Sequence, residues 1–242
     1  MCVLILCETG IPTAAQCRAM RSRNRDGFGL AYGTGSGMAL TRDHRMGERK
    51  IRKALREAWA DPARVGPILA HWRLATAGAV ADKNTHPIPV SPDMVLGHNG
   101  HICGTPADRG SAWSDTRWLV RWLADVRSLA LPLAPQWADA LDTWRGSSVV
   151  CLLDARGAYS WHGREVTAPW GRASNAQWRP EPTDTGRSSL LWTPEEWDRW
   201  CQTRVREVER GFVAPKVPKA TKAPEKPIGG SWRDAWLSSP HD

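Results

Sequence analysis

The sequence predicts an α+β fold, with one sizeable domain over residues 1–212 followed by a flexible C-terminal tail. Short apolar runs that are typical of buried strands occur among segments whose apolar residues recur at helical spacing. A chain of 242 residues with 41% hydrophobic content can bury a substantial core. Because it has 15 tryptophans but only two phenylalanines and two tyrosines, tryptophan must provide most of the aromatic packing.

The strands are predicted from short apolar runs. The run CVLILC at residues 2–7 predicts a first buried strand, with Cys2 at its end. GPILAHWRLA at 66–75 and DMVLGHNGHIC at 93–103 predict two more. Two apolar runs on either side of Ala155-Arg156-Gly157 predict a β-hairpin over residues 147–163.

The helices are predicted from amphipathic spacing and from caps. Apolar residues recur every three or four positions at 51–60 and 115–126. Trp118 and Trp122 lie one turn apart in the second of these helices, which favours a packing stripe. A capping Thr193 followed by proline and two glutamates predicts a further helix that ends near Gly211.

The composition changes after Val213. Residues 213–230 are rich in proline and lysine and have no apolar periodicity, which predicts an extended, solvated linker. The short tail over residues 231–242 carries two tryptophans and a leucine at helical spacing. Either an amphipathic anchor for a partner or a disordered terminus is consistent with this pattern.

The cysteine pattern and the hydropathy predict where the protein resides. The six cysteines have no paired metal-ligand spacing, which predicts free thiols in a reducing compartment. The N-terminal apolar run is shorter than that of a secretory signal, and no segment approaches the ~20 apolar residues of a membrane span. We therefore expect a cytoplasmic protein with no membrane association.

Cys2 directly follows the initiator Met1, so removal of one methionine would place a thiol and a free α-amino group on the same residue. A thiol becomes an effective nucleophile when a base or a depressed pKa raises its thiolate fraction. The α-amino group, with an ordinary pKa just below about 8, can act as that base. A mature N-terminal Cys2 would therefore combine nucleophile and base. A buried structural cysteine is the alternative.

Three later segments have compositions typical of loops that build a site. They read NRDGFGLAY at 24–32, HWRLATAG at 71–78 and GHNGHICG at 97–104. A pair such as Asn99-Gly100 marks a tight turn at a strand end, because glycine tolerates φ > 0 and lets a ligand approach the backbone. Each segment alone is typical of an ordinary turn or of a core histidine, but together with Cys2 they form an ordered series.

This series resembles the class II glutamine amidotransferases of the N-terminal nucleophile hydrolase superfamily, in their small stand-alone branch. The resemblance implies the four-layer αββα sandwich of that superfamily. It extends from residue 2 to about 125, and more weakly to Ser174-Asn175 near Trp178. The motifs that carry it are Cys2, Asn24-x-Asp26-Gly27-Phe28-Gly29, His71-x-Arg73-x-Ala75-Thr76-x-Gly78, Asn84-Thr85-His86-Pro87, His98-Asn99-Gly100 and Ser114-Asp115.

The resemblance also implies a role for each motif residue. Cys2 would attack the side-chain amide of glutamine, and the Asn99 amide with the Gly100 N–H would stabilise the oxyanion. The substrate pocket would contain Arg73 for the α-carboxylate, Asp115 for the α-ammonium group, and Thr76. The structural alternatives are a surface ion pair for Arg73 and a helix cap for Asp115, and the cap is compatible with substrate binding. Supporting positions around these groups are implied for His71, Asp26, Gly27 and His98.

The implied activity is that of a glutamine amidotransferase that uses no cofactor and no metal. Relatives join this domain to a synthase that consumes the ammonia, and 242 residues leave no room for one. We therefore expect glutamine as the substrate and an ammonia-accepting synthase on a separate chain.

Two other functions stay open at the level of the sequence. Hydrolysis of another γ-glutamyl amide would use the same Arg73 and Asp115, because both would bind the glutamyl head of the substrate. The net charge of +8 also permits a non-catalytic nucleic-acid-binding protein on the same fold. Nucleic acid is a possible partner but not the favoured one, since no recognisable nucleic-acid motif accompanies the basic stretches.

Overall fold

The computed structural model describes residues 2–102, 105, 107, 110–125 and 131–180. The predicted helix from Thr193, the domain boundary at 212, the linker at 213–230 and the tail at 231–242 all lie outside these residues. The described strands are β1 (Val3–Cys7), β2 (Phe28–Gly33), β3 (Met38–Asp43), β4 (Val65–Trp72), β5 (Ile88–Ser91), β6 (Met94–Asn99), β7 (Val149–Asp154), β8 (Tyr159–His162), β9 (Val166–Ala168) and β10 (Gly171–Ala173). The described helices are α1 (Ala14–Arg23), α2 (Glu48–Ala60), α3 (Asp115–Asp125) and α4 (Pro135–Arg145), and a 3₁₀ turn lies at Asp82–Asn84.

The strands form two antiparallel sheets. The first sheet has the order β3-β2-β4-β1-β10-β9, and the second has the order β5-β6-β7-β8. Strand β1 lies inside the first sheet, where Val3 pairs with Trp72 of β4 and Ile5 pairs with Ala173 of β10. Because β1 has a strand on each side, the residue before it is held at a defined place on the sheet.

Alternation of side chains along β1 explains the layers. Val3, Ile5 and Cys7 face a core that α1 and α2 cover, whereas Leu4 and Leu6 face the second sheet. Leu4 packs closely on Gly97 of β6, where an added Cβ would lie 2.5 Å from Leu4 Cδ1. All five β1 residues are buried because both faces of the strand are covered.

Helices α3 and α4 cover the outer face of the second sheet, and tryptophan fills much of this layer. Trp122 of α3 stacks on Trp144 of α4 with ring centroids 4.6 Å apart, and it contacts Trp137 edge-on at 5.8 Å. Leu119 and Leu123 lie beneath these rings against the sheet. The order of layers is therefore helices, sheet, sheet, helices, which confirms the predicted α+β fold and its αββα arrangement.

Strands β1, β4 and β6 and the hairpin β7–β8 lie where the apolar runs predict them. The prediction of a loop over residues 24–32 is wrong in part, because Phe28–Gly33 is strand β2. Helix α1 was not predicted, since it buries only Cys17 and Met20 and has little apolar periodicity. Thr13 and Gln16 form a capping box that starts it instead. No described helix combines the length and the apolarity that crossing a bilayer requires.

Candidate functional site

Cys2 lies just before β1, partly buried, with its thiol against the backbone that follows β4. The N–H of Leu74 donates to Cys2 Sγ at 3.2 Å, and the thiol is 3.3 Å from the Leu74 carbonyl oxygen. This contact joins residues 72 positions apart. It follows from the pairing of Val3 with Trp72, which carries Cys2 beyond the end of the strand ladder and alongside the chain that leaves β4.

The electrostatics around Cys2 favour a resting thiol. Burial is the largest influence on the pKa of Cys2 and raises it above the ordinary value, because a thiolate loses hydration there. The hydrogen bond from Leu74 and the charge of Arg73 lower this pKa, and Asp115 raises it. Arg73 and Asp115 therefore both lie within electrostatic range of the sulfur. A base is needed to remove the proton before the sulfur can attack.

Asp26 and Gly27 fix the backbone of Arg73 from both sides. The N–H of Arg73 donates to the Gly27 carbonyl at 2.9 Å, and the N–H of Asp26 donates to the Arg73 carbonyl at 2.9 Å. The Asp26 carboxylate accepts the N–H of Ala75 at 2.8 Å. The Asn-x-Asp-Gly motif thus pins the segment that carries both Arg73 and the Leu74 N–H.

The Arg73 side chain is buried and closes its own loop. Its guanidinium donates to the carbonyl oxygens of Ala79 at 3.0 Å, Ala77 at 3.0 Å and Gly78 at 3.2 Å. A guanidinium has five N–H donors, so donors remain for a further anion. Burial lowers the pKa of Arg73, and Cys2, Asp26 and Asp115 oppose that effect. Arg73 is therefore a buried residue that shapes the loop, and the alternative of a surface ion pair does not describe it.

Thr76 lies in the loop that Arg73 closes. Its side chain is exposed and makes no hydrogen bond to another described residue. Thr76 is therefore close to Arg73 along the chain, but its hydroxyl has no hydrogen-bond partner within the part of the chain that is described.

Asn99 ends β6 and Gly100 turns away from it. Gly100 has φ of +142°, and a Cβ there would lie 2.2 Å from Ser148 Oγ, so only glycine fits the turn. The Asn99 side chain is buried and donates from Nδ2 to Ser174 Oγ at 2.8 Å. Its Oδ1 is buried and has no hydrogen-bond partner among the described residues.

Asp115 is the first residue of α3, and Ser114 caps that helix. The N–H of Arg117 donates to Ser114 Oγ at 3.3 Å, as expected for an N-cap. Asp115 Oδ2 accepts the N–H of Ile102 at 2.8 Å, and His101 Nδ1 lies 3.5 Å from the same oxygen. Asp115 therefore links α3 to the chain that follows Gly100, in addition to its place at the helix start.

His71, His86 and His98 form a buried row beside the site. The rings of His71 and His86 lie 4.4 Å apart, and those of His86 and His98 lie 6.0 Å apart. His98 Nδ1 contacts Thr116 Oγ1 at 2.8 Å, and His86 Nδ1 contacts the His98 carbonyl at 2.9 Å. Burial lowers the pKa of all three residues, which keeps the imidazoles neutral. They pack the strand ends that carry Arg73 and Asn99.

Several contributing residues had no role in the sequence-based account. Ser174 and Asn175 were part of the motif series without a function, and both bond to the Cys2 end of β1. Asn84 accepts the N–H of Ser114 at 3.0 Å and donates to the Ala79 carbonyl at 2.9 Å, which connects α3 to the Arg73 loop. Ser148 Oγ accepts the N–H of His101 at 2.9 Å, and no local signal in the sequence indicates this contact.

Metal-ligand side chains come together at Asp43, His44 and Asp82 among the described residues. Asp82 Oδ1 already accepts from the His44 backbone N–H and contacts His44 Nδ1, both at 2.7 Å. Asp43 Oδ1 accepts the N–H of Arg45 at 2.6 Å. These bonds account for the cluster, and Cys2 is not part of it.

Comparison with known proteins identifies part of this chain. Residues 8–113 match the family described as glutamine amidotransferases class-II. The matched segment contains Arg73, Asn99 and Gly100 and begins after Cys2. No curated protein matches the chain.

Solved structures also match at low identity. The glutamine phosphoribosylpyrophosphate amidotransferase from B. subtilis, complexed with ADP and GMP, is 16% identical with a TM-score of 0.42, over 64% of this chain and 35% of that chain. A structure described as the allosteric regulatory enzyme of purine biosynthesis is 17% identical with a TM-score of 0.44, over 64% and 36% of the two chains. This chain spans about a third of the length of these solved chains. The family match thus covers residues 8–113, less than half of the chain, and shows that this segment is similar to the class II glutamine amidotransferases.

Proposed function

We propose that this protein cleaves the side-chain amide of glutamine through Cys2 and passes the ammonia to a synthase on a separate chain. The observation that carries the proposal is the surroundings of the Cys2 thiol. The sulfur accepts the Leu74 N–H at 3.2 Å and lies within electrostatic range of Arg73 and Asp115. A thiol, a buried cation and a buried carboxylate therefore influence one another at the Cys2 end of β1, and the cation Arg73 lies in the segment that matches the amidotransferase family.

The first step is activation of the thiol. Because burial raises the pKa of Cys2, the group is protonated at rest. Removal of Met1 would expose the Cys2 α-amino group, which takes the thiol proton directly or through a water molecule. The Leu74 N–H and Arg73 then stabilise the thiolate that forms.

The second step is attack on the amide carbon. The C–S bond forms as the carbonyl oxygen gains negative charge, and the Asn99 amide with the Gly100 N–H stabilises this oxyanion. Collapse of the intermediate breaks the C–N bond, and the α-ammonium group returns its proton to the leaving ammonia. Water then hydrolyses the γ-glutamyl thioester to glutamate and regenerates the thiol.

Substrate recognition uses two protein side chains of opposite charge, one for each charged group on the α-carbon of glutamine. Arg73 binds the α-carboxylate with the N–H donors that the loop carbonyls leave over. Asp115 attracts the α-ammonium group, and the exposed Thr76 hydroxyl borders the pocket.

Ammonia release from L-glutamine tests this function directly. We expect release by the wild-type protein, and hydroxylamine should divert the thioester to γ-glutamyl hydroxamate. Cys2→Ala should lower the rate by at least ~10³-fold, because the covalent route is lost. L-Asparagine, one methylene shorter, and 4-aminobutanamide, which lacks the α-carboxylate, should be poor substrates. Absence of hydroxamate, or unchanged turnover in Cys2→Ala, would contradict the proposal. If the protein prefers a substituted γ-glutamyl amide, the proposed mechanism stands but glutamine is not the substrate.

A further inference from the structure

We infer that Ser174 and Asn175 act as a clamp. The clamp positions the Cys2 nucleophile, next to the first sheet, relative to the Asn99 amide of the second sheet, which is the proposed oxyanion donor. This inference rests on the proposed function and assigns positioning roles to two residues that follow β10. Neither residue is expected to touch the reacting atoms. Their effect is exerted through Cys2 and Asn99, which they hold by side-chain hydrogen bonds.

The Ser174 hydroxyl joins the two sheets. Its Oγ accepts the backbone N–H of Leu4 at 3.0 Å and the side-chain Nδ2 of Asn99 at 2.8 Å. The Ser174 N–H in turn donates to the Leu4 carbonyl at 2.9 Å, so the serine is itself held on β1. Leu4 belongs to the first sheet and Asn99 to the second. One buried oxygen thus fixes the separation between these two residues.

The bond to Ser174 determines how Asn99 presents its amide. The terminal torsion of asparagine is broad, so the amide plane is not set by the rotamer alone. One N–H of Nδ2 is directed at Ser174, and the planar amide then fixes the direction of the second N–H. Oδ1 has no partner among the described residues that would orient the amide from its other side. Ser174 is therefore the contact that preorganises the oxyanion donor.

Asn175 holds Cys2 in place, as Ser174 holds Asn99. Its Nδ2 donates to the Cys2 carbonyl oxygen at 2.7 Å, and its Oδ1 accepts the N–H of Gln177 at 3.0 Å. The ladder between β1 and β4 begins at Val3, so no strand pairing with β4 holds the Cys2 carbonyl. The bond from Asn175 replaces that pairing and limits rotation of the residue that carries both the thiol and the proposed base.

A double-mutant cycle tests whether Ser174 acts through Asn99. We expect Ser174→Ala to lower kcat for glutamine hydrolysis by ~10²-fold with little change in KM, because a misplaced donor weakens mainly the transition state. Asn99→Ala should lower kcat by ~10²–10³-fold. The double variant should be no more than about threefold worse than Asn99→Ala alone, since both changes remove the same function.

Thr167→Ala is the matched control, because it removes an exposed hydroxyl from β9 in the same sheet. It should retain wild-type kcat and KM. Two results would overturn the clamp. One is wild-type kcat in Ser174→Ala, and the other is a multiplicative loss of ~10⁴–10⁵-fold in the double variant, which would make the two residues independent.

Asn175→Ala provides a second variant that leaves the Asn99 contact intact. We expect a slower reaction of Cys2 with a glutamine-mimicking electrophile, by ~10-fold, while protection by glutamine keeps its concentration dependence. An unchanged capture rate would contradict the role of Asn175.

The side-chain amide resonances of Asn99 separate failure of the clamp from failure of the proposed function. We expect Ser174→Ala to shift the Asn99 Nδ2 signals and to accelerate their exchange with solvent, whereas Thr167→Ala leaves both unchanged. Unaltered Asn99 signals in Ser174→Ala would overturn the clamp. A wild-type protein that neither cleaves glutamine nor reacts at Cys2 would instead overturn the proposed function, while the resonances still report on the contact.

Discussion

The two ends of strand β1 carry cysteines with opposite surroundings. Cys2 precedes the strand, is partly buried, and accepts the Leu74 N–H at 3.2 Å. Cys7 ends the strand, is fully buried, and faces the apolar core beneath α1 and α2. Burial raises the pKa of both thiols, so burial alone does not distinguish them.

The difference between the two ends lies in the polar groups that surround each sulfur. At Cys2, the sulfur accepts the Leu74 N–H and Arg73 lowers the thiol pKa, while the Asn175 amide bonds the carbonyl oxygen of the same residue. At Cys7, Arg64 lowers the pKa against a much larger effect of burial, and Cys17 and Glu8 raise it. A cysteine is a candidate nucleophile where hydrogen-bond donors and cations surround its thiol. It is a small core residue where aliphatic side chains surround the thiol instead.

Replacement of each cysteine by alanine should give the sharpest contrast. Cys2→Ala should reduce glutamine hydrolysis by at least ~10³-fold while the fold persists. Cys7→Ala should leave kcat and KM near wild type and lower the free energy of unfolding by about 1–2 kcal/mol, because it empties part of the core. Steady-state kinetics and chemical denaturation of both variants check this. Equal loss of activity in the two variants would remove the contrast.

Replacement of the arginine near each thiol should give the next largest effect. Arg73→Lys should raise KM for glutamine by ~10²-fold, because a lysine cannot both bond the loop carbonyls and pair with a carboxylate. Arg64→Lys is the matched change near Cys7 and should leave KM unchanged. Initial rates over a range of glutamine concentrations measure both values. If Arg73→Lys retains the wild-type KM, Arg73 shapes the loop without binding substrate.

The alkaline stability should depend on the thiols of the core. Burial raises the pKa of Cys17 to about 12 and raises that of Cys7 further, so the folded state retains protons that the unfolded state loses above about pH 8.5. Stability is therefore fully present below that pH and declines as pH rises, by about 1.4 kcal/mol per pH unit for each such thiol. Cys7→Ala should remove the contribution of one thiol from the slope of the free energy of unfolding against pH. Denaturant unfolding between pH 8 and 10 measures it, and a slope unaffected by Cys7→Ala would contradict the assignment.

The stability of the fold at acidic pH should depend on the buried histidines near the Cys2 end of β1. Burial lowers the pKa of His71, His86 and His98, so the unfolded state binds more protons below about pH 6.5. Their contribution to stability is present above that pH and is lost as pH falls. We expect a loss of up to about 1.4 kcal/mol per pH unit per histidine. Unfolding titrations from pH 7 to 5 should show a smaller slope for His98→Asn than for the wild type. Equal slopes would show that His98 is not held neutral.

The sequence predicted the parts of the fold that have continuous apolar patterns. Strand β1 and the β7–β8 hairpin follow directly from such runs, whereas the αββα arrangement was implied only by the resemblance to a known superfamily. Helix α1 has too few buried residues to produce a pattern, and its start depends on the capping contacts of Thr13. Phe28–Gly33 was assigned to a loop because its glycines obscure the strand.

For the candidate site, the motifs identified residues but not their contacts. The sequence could not indicate that the Arg73 guanidinium bonds three carbonyls of its own loop, because that depends on the path of residues 77–79. Nor could it indicate the Leu74 N–H at Cys2, which results from strand register over 72 positions. Ser174 reaches Asn99 over 75 positions for the same reason. The catalytic roles of the predicted residues stay predictions.

The most direct test of a reactive Cys2 is the intact mass of the purified protein before and after treatment with a glutamine-mimicking electrophile, followed by peptide mapping. We predict that Met1 is absent, that a single adduct forms on Cys2 with Cys7 unmodified, and that free glutamine suppresses the reaction. Retention of Met1, or an adduct that spares Cys2, would contradict the proposal that this end of β1 carries an N-terminal nucleophile.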